Sequence, residues 1–394
     1  MRYKIISKVL LFTLLLNSSL ITSQTVNELI NEVNTNNLNL TLNEFSGEVS
    51  TTVNGNNVTI KNRVSQLGNK LAADYLKQKL NSFGNLEVVE NNYSSTGRNI
   101  IAIQTGLTNP NNVYIISAHY DSVANYSADD NATGTAAVLE TARILSGYCT
   151  ENTIIYALWD EEEEGLIGSK NYAADARLKN KNILGVINLD MIGYDKDKNN
   201  NIPIHTKNVA NSLVLKDDIL TILNSHKNIG LTPNVVNPGI DRSDHASFWN
   251  NNYTSIMLSE ATTSQDLTPH YHTAQDRVNT LNLEYFYKIS KLLIAITATK
   301  ANLINSNSCA LDVNDYKLQK ITIYPNPAKN LIRISQEYNS QNTLTIRSLT
   351  NQLIRFEKLD QKETIINISS LAKGIYILRI ENKNGFIVKK IIKN

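Results

Sequence analysis

The stretch Thr153-Ile154-Ile155-Tyr156-Ala157-Leu158-Trp159-Asp160-Glu161-Glu162-Glu163-Glu164-Gly165 places five consecutive acidic residues directly after an apolar run. The run 153–158 is rich in β-branched and aromatic residues and predicts a buried strand. Carboxylates at the end of a buried strand repel one another unless they stay in water or bind cations. Taken alone, this stretch is better explained as an exposed acidic turn.

Further metal-ligand residues occupy equivalent positions next to other predicted elements, and this favours a cation site. Ligands bind open α/β sheets at the carboxyl ends of the strands, and imidazoles mixed with carboxylates suit zinc. These residues are His119 and Asp121 after strand 113–118, Asp129 and Asp130 before the Ala-rich helix 133–145, Asp190 after strand 183–189, and His270 and His272 after strand 254–258.

The order of predicted elements indicates an α/β fold. Apolar residues at helical spacing predict a helix over 66–80, strands follow at 86–90 and 99–105, and strands and helices then alternate to Lys300. This pattern predicts a doubly wound, mixed and mostly parallel sheet flanked by helices.

Five separated motifs resemble the M28 metallopeptidases of the bacterial leucyl aminopeptidase type. They occur in the family's order within residues 60–303, and they are 118–122, 128–134, 159–169, 188–191 and 271–273. The resemblance implies a zinc-dependent exopeptidase-like fold with two Zn²⁺ ions per catalytic domain.

The family pattern also implies a role for each matching residue. It makes Glu162 the general base and Asp121 the acid that orients the His119 imidazole. The implied metal ligands are His119 and Asp190 for one zinc, Glu163 and His272 for the other, and Asp130 as the bridge between them.

Residues around these motifs have less defined roles. M28 sequences often share the segment 242–248, in which Asp244 and His245 are expected to support the site or contact substrate, with a purely structural role equally open. Met191 is compatible with an apolar pocket wall or with plain core, and Tyr271 is expected beside the substrate. His270 is expected to line the cleft.

The expected reaction is hydrolysis of the N-terminal bond of a peptide by a metal-bridging water. Three alternatives remain open: a carboxypeptidase, a glutaminyl-cyclase-like enzyme with one zinc, and a catalytically inactive surface adhesin. All six proposed ligand and base positions are filled, which favours the two-metal hydrolase.

The chain termini predict export. Residues 1–23 combine a basic start with a short apolar region and predict a signal peptide, and residues 24–59 are interpreted as an N-terminal extension or propeptide. The peptidase domain is predicted over 60–303 and a linker over 304–319. No other apolar run is long enough to span a bilayer, so no transmembrane anchor is expected.

Residues 320–394 predict a separate small β-sandwich. This tail carries 13 basic and 5 acidic residues, whereas residues 24–319 carry 22 basic and 31 acidic ones. Its basic residues are scattered over alternating strands, which does not favour nucleic-acid binding. The opening at 324–327, the strand from Gly374 and the basic end resemble the type IX secretion sorting domain. That resemblance implies export through the type IX machinery to the cell surface or beyond, with a carbohydrate-binding or spacer module as the alternative for the tail. The enzyme is expected to be a monomer.

Two cysteines, Cys149 and Cys309, are present. An exported protein permits a disulfide between them, and two unpaired thiols are the alternative.

Overall fold

The computed structural model describes residues 26–260, 266–304, 321–336, 342–348, 353–382 and 385–394. The chain divides into two compact units, Met1–Asn305 and Ser306–Asn394. The predicted signal peptide, the predicted linker beyond residue 304 and Cys309 lie outside the described residues. Cys149 is disulfide-bonded, and its pairing with Cys309 stays a prediction. Within the described residues, none of the helices is long and apolar enough to cross a bilayer.

The first unit contains helices on both sides of a large sheet. Its helices are α1 (26–31 in its described part), α2 Thr35–Phe45, α3 Gln66–Ser82, α4 Gly134–Leu145, α5 Ile167–Leu178, α6 Ser212–Ser225, α7 His245–Asn250 and α8 Leu283–Ala301. Its strands are β1 Thr51–Val53, β2 Asn56–Val58, β3 Glu87–Asn92, β4 Arg98–Gln104, β5 Asn109–His119, β6 Cys149–Thr150, β7 Asn152–Trp159, β8 Ile183–Asp190, β9 Asn201–His205, β10 Thr232–Val236, β11 Ser255–Ser259 and β12 Leu303–Ile304.

Eight of these strands form one mixed sheet in the order β10-β9-β11-β8-β5-β7-β4-β3. The four central strands β11, β8, β5 and β7 are parallel, and antiparallel pairs flank them at β9 and β4. The central strands are buried on both faces, which is why their sequences read as continuous apolar runs rather than alternating ones. The predicted doubly wound, mostly parallel fold is confirmed.

Helices α3 and α8 each begin at a residue whose side chain caps the first turn. Ser65 accepts a hydrogen bond from the Gly68 N–H at the start of α3, and Asn282 accepts one from the Tyr285 N–H at the start of α8. These side chains satisfy amide groups that the first helical turn leaves without partners.

The segment before α3 packs into the core of the first unit. Leu29, Leu38, Leu42 and Phe45 are fully buried in the main apolar cluster. Residues 26–59 are therefore an integral layer of this unit in the structure, and their removal as a propeptide stays a prediction.

The second unit is a small all-antiparallel β-sandwich, as predicted. Its sheets have the orders β13-β14-β17 and β16-β15-β18-β19. It has its own apolar core, which includes Ile332, Ile334, Leu344, Ile346 and Leu378. The strands are β13 Thr322–Tyr324, β14 Leu331–Ser335, β15 Asn342–Ser348, β16 Leu353–Leu359, β17 Glu363–Asn367, β18 Gly374–Asn382 and β19 Gly385–Lys393.

Candidate metal centre

Parallel pairing of the central strands brings the predicted ligands to one edge of the sheet. His119 ends β5 opposite Trp159, the last residue of β7. Ser117 of β5 lies opposite Asn188 of β8, so His119 lies level with Asp190. Because parallel strands end at the same edge, residues far apart in sequence converge there.

Two imidazoles flank the two oxygens of one carboxylate. His119 Nε2 lies 3.2 Å from Asp130 Oδ1 and 3.4 Å from Asp190 Oδ1. His272 Nε2 lies 3.2 Å from Asp130 Oδ2 and 3.3 Å from Glu163 Oε2. Asp130 thus belongs to two groups of three residues, and in each group the ligand atoms lie within 4.8 Å of one another.

A break in the helical backbone directs Asp130 into this centre. The turn Ala128–Thr133 before α4 leaves helical geometry at Asp130 and Asn131. The carboxylate of Asp276 accepts the N–H groups of Asp129 and Asp130 at 2.9–3.1 Å. Asn131 donates to the Leu189 carbonyl and accepts from Gly134 N–H. The turn is therefore tied both to the segment that follows His272 and to strand β8.

Asp121 connects His119 to the acidic loop, which is formed by residues 160–164 after β7. Its Oδ1 lies 3.4 Å from His119 Nδ1. Its two oxygens accept the N–H groups of Glu162 and Glu163, each at 3.2 Å. A carboxylate on Nδ1 leaves Nε2 of the imidazole available to a metal.

The residues of the acidic loop differ in how deeply their side chains are buried. Glu162 is 8% exposed, and its carbonyl accepts the N–H groups of Gly165 and Leu166 in a tight turn. Glu164 is exposed and Glu161 is half-buried. Of the five acidic residues, Glu162 and Glu163 are those that reach a metal-ligand group.

Six non-glycine residues around the centre have left-handed backbone conformations. Such conformations are uncommon outside glycine and cluster at functional sites. They are Tyr126, Ser127, Glu161, Leu166, Met191 and His272.

Burial and charge displace the pKa values of these groups. Burial raises the pKa of Glu162 well above its usual range, with further increases from Asp190 and Asp244. Burial, reinforced by Asp130, raises the pKa of Glu163 to about 8. Burial acts to raise the pKa of Asp130, but hydrogen bonds from His119 and His272 lower it below its usual value. A cluster with this much buried acid is stabilised by bound cations.

The donor set fits zinc. Two imidazoles and three carboxylates are ligands that zinc takes. Glu163 Oε1 is buried without a hydrogen-bond partner in the described structure, as expected of an atom that serves a metal.

A cavity of about 300 Å³ opens beside these groups. Met191 and Tyr271 line it, and Tyr271 stacks on His272 with ring centroids 3.7 Å apart. Leu166, Asp241 and Arg242 also line it. No role for these three residues follows from the sequence, because a motif does not show which of its side chains face a cavity.

Asp244 and His245 are fully buried. Burial raises the pKa of Asp244 to about 7. His245 Nε2 lies 2.8 Å from the Ile240 carbonyl, and burial lowers the pKa of this imidazole to about 3. This environment favours the structural alternative for His245. Asp244 is close enough to Glu162 to raise the pKa of that carboxyl.

Residues 99–297 match the family model described as Peptidase family M28. This chain belongs to peptidase family M28. Residues 322–394 match the model described as Secretion system C-terminal sorting domain. Both resemblances drawn from the sequence are confirmed.

Two curated relatives illustrate the family. Leupeptin-inactivating enzyme 1 of Streptomyces exfoliatus is 35% identical over 193 residues, which cover 46% of this chain and 41% of that protein. Leucine aminopeptidase 1 of Trichophyton equinum is 29% identical over 210 residues, which cover 48% of this chain and 54% of that protein. The M28 chain thus spans about half the length of the curated relatives it matches.

Solved structures share the fold. The LapA aminopeptidase of Legionella pneumophila has a TM-score of 0.60 at 19% identity, over 72% of this chain and 75% of that one. The glutaminyl cyclase of Bacteroides thetaiotaomicron has a TM-score of 0.50 at 17% identity, over 67% of this chain and 97% of that one. The fold is therefore common to peptidases and a cyclase, and the choice between them depends on the residues of the site.

Proposed function

We propose that this M28 chain is an exported aminopeptidase that uses two Zn²⁺ ions. The observation that carries the proposal is the position of Asp130, whose two carboxylate oxygens face two different imidazoles. A glutaminyl cyclase would use one zinc and would not need such a bridge.

Five side chains would hold the metals. His119 and Asp190 would bind one ion and Glu163 and His272 the other, with Asp130 shared between them. When bound, the ions would lower the pKa of a shared water and polarise the scissile carbonyl.

Glu162 would move the proton. Its buried carboxyl belongs to the ligand-sized group that includes His119 and Glu163. As general base it takes a proton from the attacking water and passes it to the departing amine. Asp121 would keep the His119 ring and the acidic loop in place during this transfer.

The cavity favours a free N-terminus with an apolar side chain. Leu166, Met191 and Tyr271 provide an apolar wall, and the acidic lining of the cavity, which includes Asp241, is suited to an ammonium group. Arg242 also lines the cavity, and a fixed cation there is the observation that favours the second candidate, a carboxypeptidase.

A set of three matched peptides separates these candidates. A leucine-initiated peptide is compared with its N-acetylated and C-amidated forms, together with the zinc content of the enzyme. An aminopeptidase cleaves the free and amidated peptides and not the acetylated one. Loss of cleavage on amidation alone would assign the carboxypeptidase, and zinc binding without hydrolysis of any peptide would favour the adhesin.

A further inference from the structure

Arg63 is a buried arginine that contacts the backbone at both ends of the loop between His119 and Asp130. Arg63 precedes residues 99–297, is not one of the proposed ligands, and is only 1% exposed. A buried charge is costly unless hydrogen bonds and opposite charges compensate it. The contacts of this side chain therefore indicate which part of the structure its burial stabilises.

The guanidinium donates to four backbone carbonyls. Nε donates to Tyr120 O at 2.9 Å, Nη1 to Tyr126 O at 2.8 Å and to Phe45 O at 3.1 Å, and Nη2 to Ser127 O at 2.8 Å. No ion pair of Arg63 with a carboxylate occurs among the residues that the structure describes. Only the planar fork of an arginine donates in this many fixed directions.

Three of these carbonyls, those of Tyr120, Tyr126 and Ser127, belong to the loop between two proposed ligands. Tyr120 follows His119, and Ser127 directly precedes the turn that carries Asp130. Tyr126 and Ser127 have left-handed backbones, which need external contacts to persist. One side chain thus joins the two ends of the loop and fastens them to α2 through Phe45.

The same guanidinium supplies positive charge to an acidic region. Burial lowers its pKa to about 10, opposed by the carboxylates of Asp276, Asp121, Asp130 and Glu163. At neutral pH the side chain is charged. It therefore offsets part of the repulsion among these carboxylates whether or not a metal is bound.

We propose that Arg63 is a positioning residue for the metal pair: it holds His119 and Asp130 at the separation that binding of one shared zinc ion requires. The proposal rests on the proposed two-metal site but not on the identity of the substrate. Without the hydrogen bonds of Arg63, the loop lets Asp130 move relative to His119, and the affinity for zinc falls. Loss of a residue that orients metal ligands typically lowers affinity by about 10–100-fold.

The test measures zinc binding to the full-length protein. Metal-free Arg63→Met, Arg63→Lys and wild-type proteins are titrated with zinc against a chromophoric chelator, and the visible spectrum of each cobalt-loaded protein is recorded. Leu42→Ala is the matched control, because Leu42 is fully buried in the same α2 layer and contributes no group to the site. Thermal unfolding of the metal-free proteins shows how much stability each substitution removes.

Arg63→Met is expected to weaken zinc binding at least about tenfold and to alter the cobalt spectrum, whereas Leu42→Ala loses stability and keeps both. Arg63→Lys keeps the charge without the fork and is expected to have intermediate affinity. Wild-type affinity in Arg63→Met, or an equal loss of affinity in Leu42→Ala at equal loss of stability, would overturn the proposal. If Arg63→Met does not fold, unchanged zinc affinity in Arg63→Lys would overturn it. Failure of the proposed function is separate, because it would appear in the wild type as absent zinc binding or absent hydrolysis.

Discussion

Identical side chains within the acidic loop take different roles because their surroundings differ. Glu162 and Glu163 are turned toward the imidazoles, and the exposed Glu164 is turned away from them. The amide groups of Glu162 and Glu163 are held by Asp121. The chemistry of each carboxyl is therefore set by its position in the turn and not by its residue type.

Substitution of Glu162 by Gln is expected to preserve zinc content and lower kcat by several orders of magnitude, since an amide cannot accept the water proton. Glu163→Gln, the adjacent control, is expected to lose zinc and activity together. Metal analysis beside steady-state kinetics measures both effects. Near-normal turnover in Glu162→Gln would remove it as the base.

Asp130→Asn is expected to lower zinc content and activity together, because an amide bridges two cations poorly. Asp129→Asn is the control: Asp129 is buried, and its Oδ1 accepts the Gly193 N–H at 2.8 Å. That variant is expected to keep zinc and lose stability. Equal zinc loss in both variants would show that the wrong neighbour was assigned as the bridge.

At the scale of strands and helices, two buried histidines, His205 and His245, lie where elements of the first unit meet. His205, the last residue of β9, contacts Ser259 at the end of β11, and His245 opens α7. Burial lowers the pKa of His205 to about 4 and that of His245 to about 3. Both imidazoles are therefore neutral in the folded unit, because a charged ring at either position would be buried.

These histidines predict acid sensitivity of the first unit. The pKa of His245 is about 3 in the folded protein and higher in the unfolded chain, so the unfolded state binds the extra proton. The free energy of unfolding is therefore unaffected by protonation of His245 above about pH 6.5. It decreases as the pH falls toward 3, by up to about 5 kcal/mol. Chemical unfolding of metal-free protein across this range measures the slope.

His245→Gln is expected to reduce that slope, because it removes the buried imidazole that takes up the proton on unfolding. Equal slopes in the wild type and His245→Gln would contradict a buried neutral imidazole.

At the scale of the whole molecule, the two units have separate apolar cores. Each is covered by its own layers: helices on both faces of the large sheet in one, and two small sheets in the other. A unit with its own core is expected to fold without its neighbour.

Removal of residues 320–394 is therefore expected to leave a soluble protein that folds, binds zinc and hydrolyses peptides, while its release outside the cell is blocked. Comparison of thermal unfolding, activity and cellular fractionation with those of the full chain measures this. Insolubility of the shortened protein, with the full chain soluble, would show that the tail is needed for the fold of the first unit.

The sequence by itself determined the fold class, the β-sandwich tail and the family. These follow from local patterns: apolar runs such as 153–158 predict buried strands, and short motifs such as 128–134 keep their spacing within one turn. Such local patterns can be recognised without knowing which elements pack against them.

Only the tertiary structure decided which distant groups meet. The β5-β8 pairing, the contact of Asp276 with the Asp130 turn, and the packing of α1 and α2 into the core join residues far apart in the chain. The proposed role of Arg63 cannot be predicted from the sequence for the same reason. Its hydrogen-bond partners are backbone carbonyls, which are the same in every residue type. Left-handed conformations at Ser127 and Met191 are likewise imposed by neighbours that the chain supplies from elsewhere.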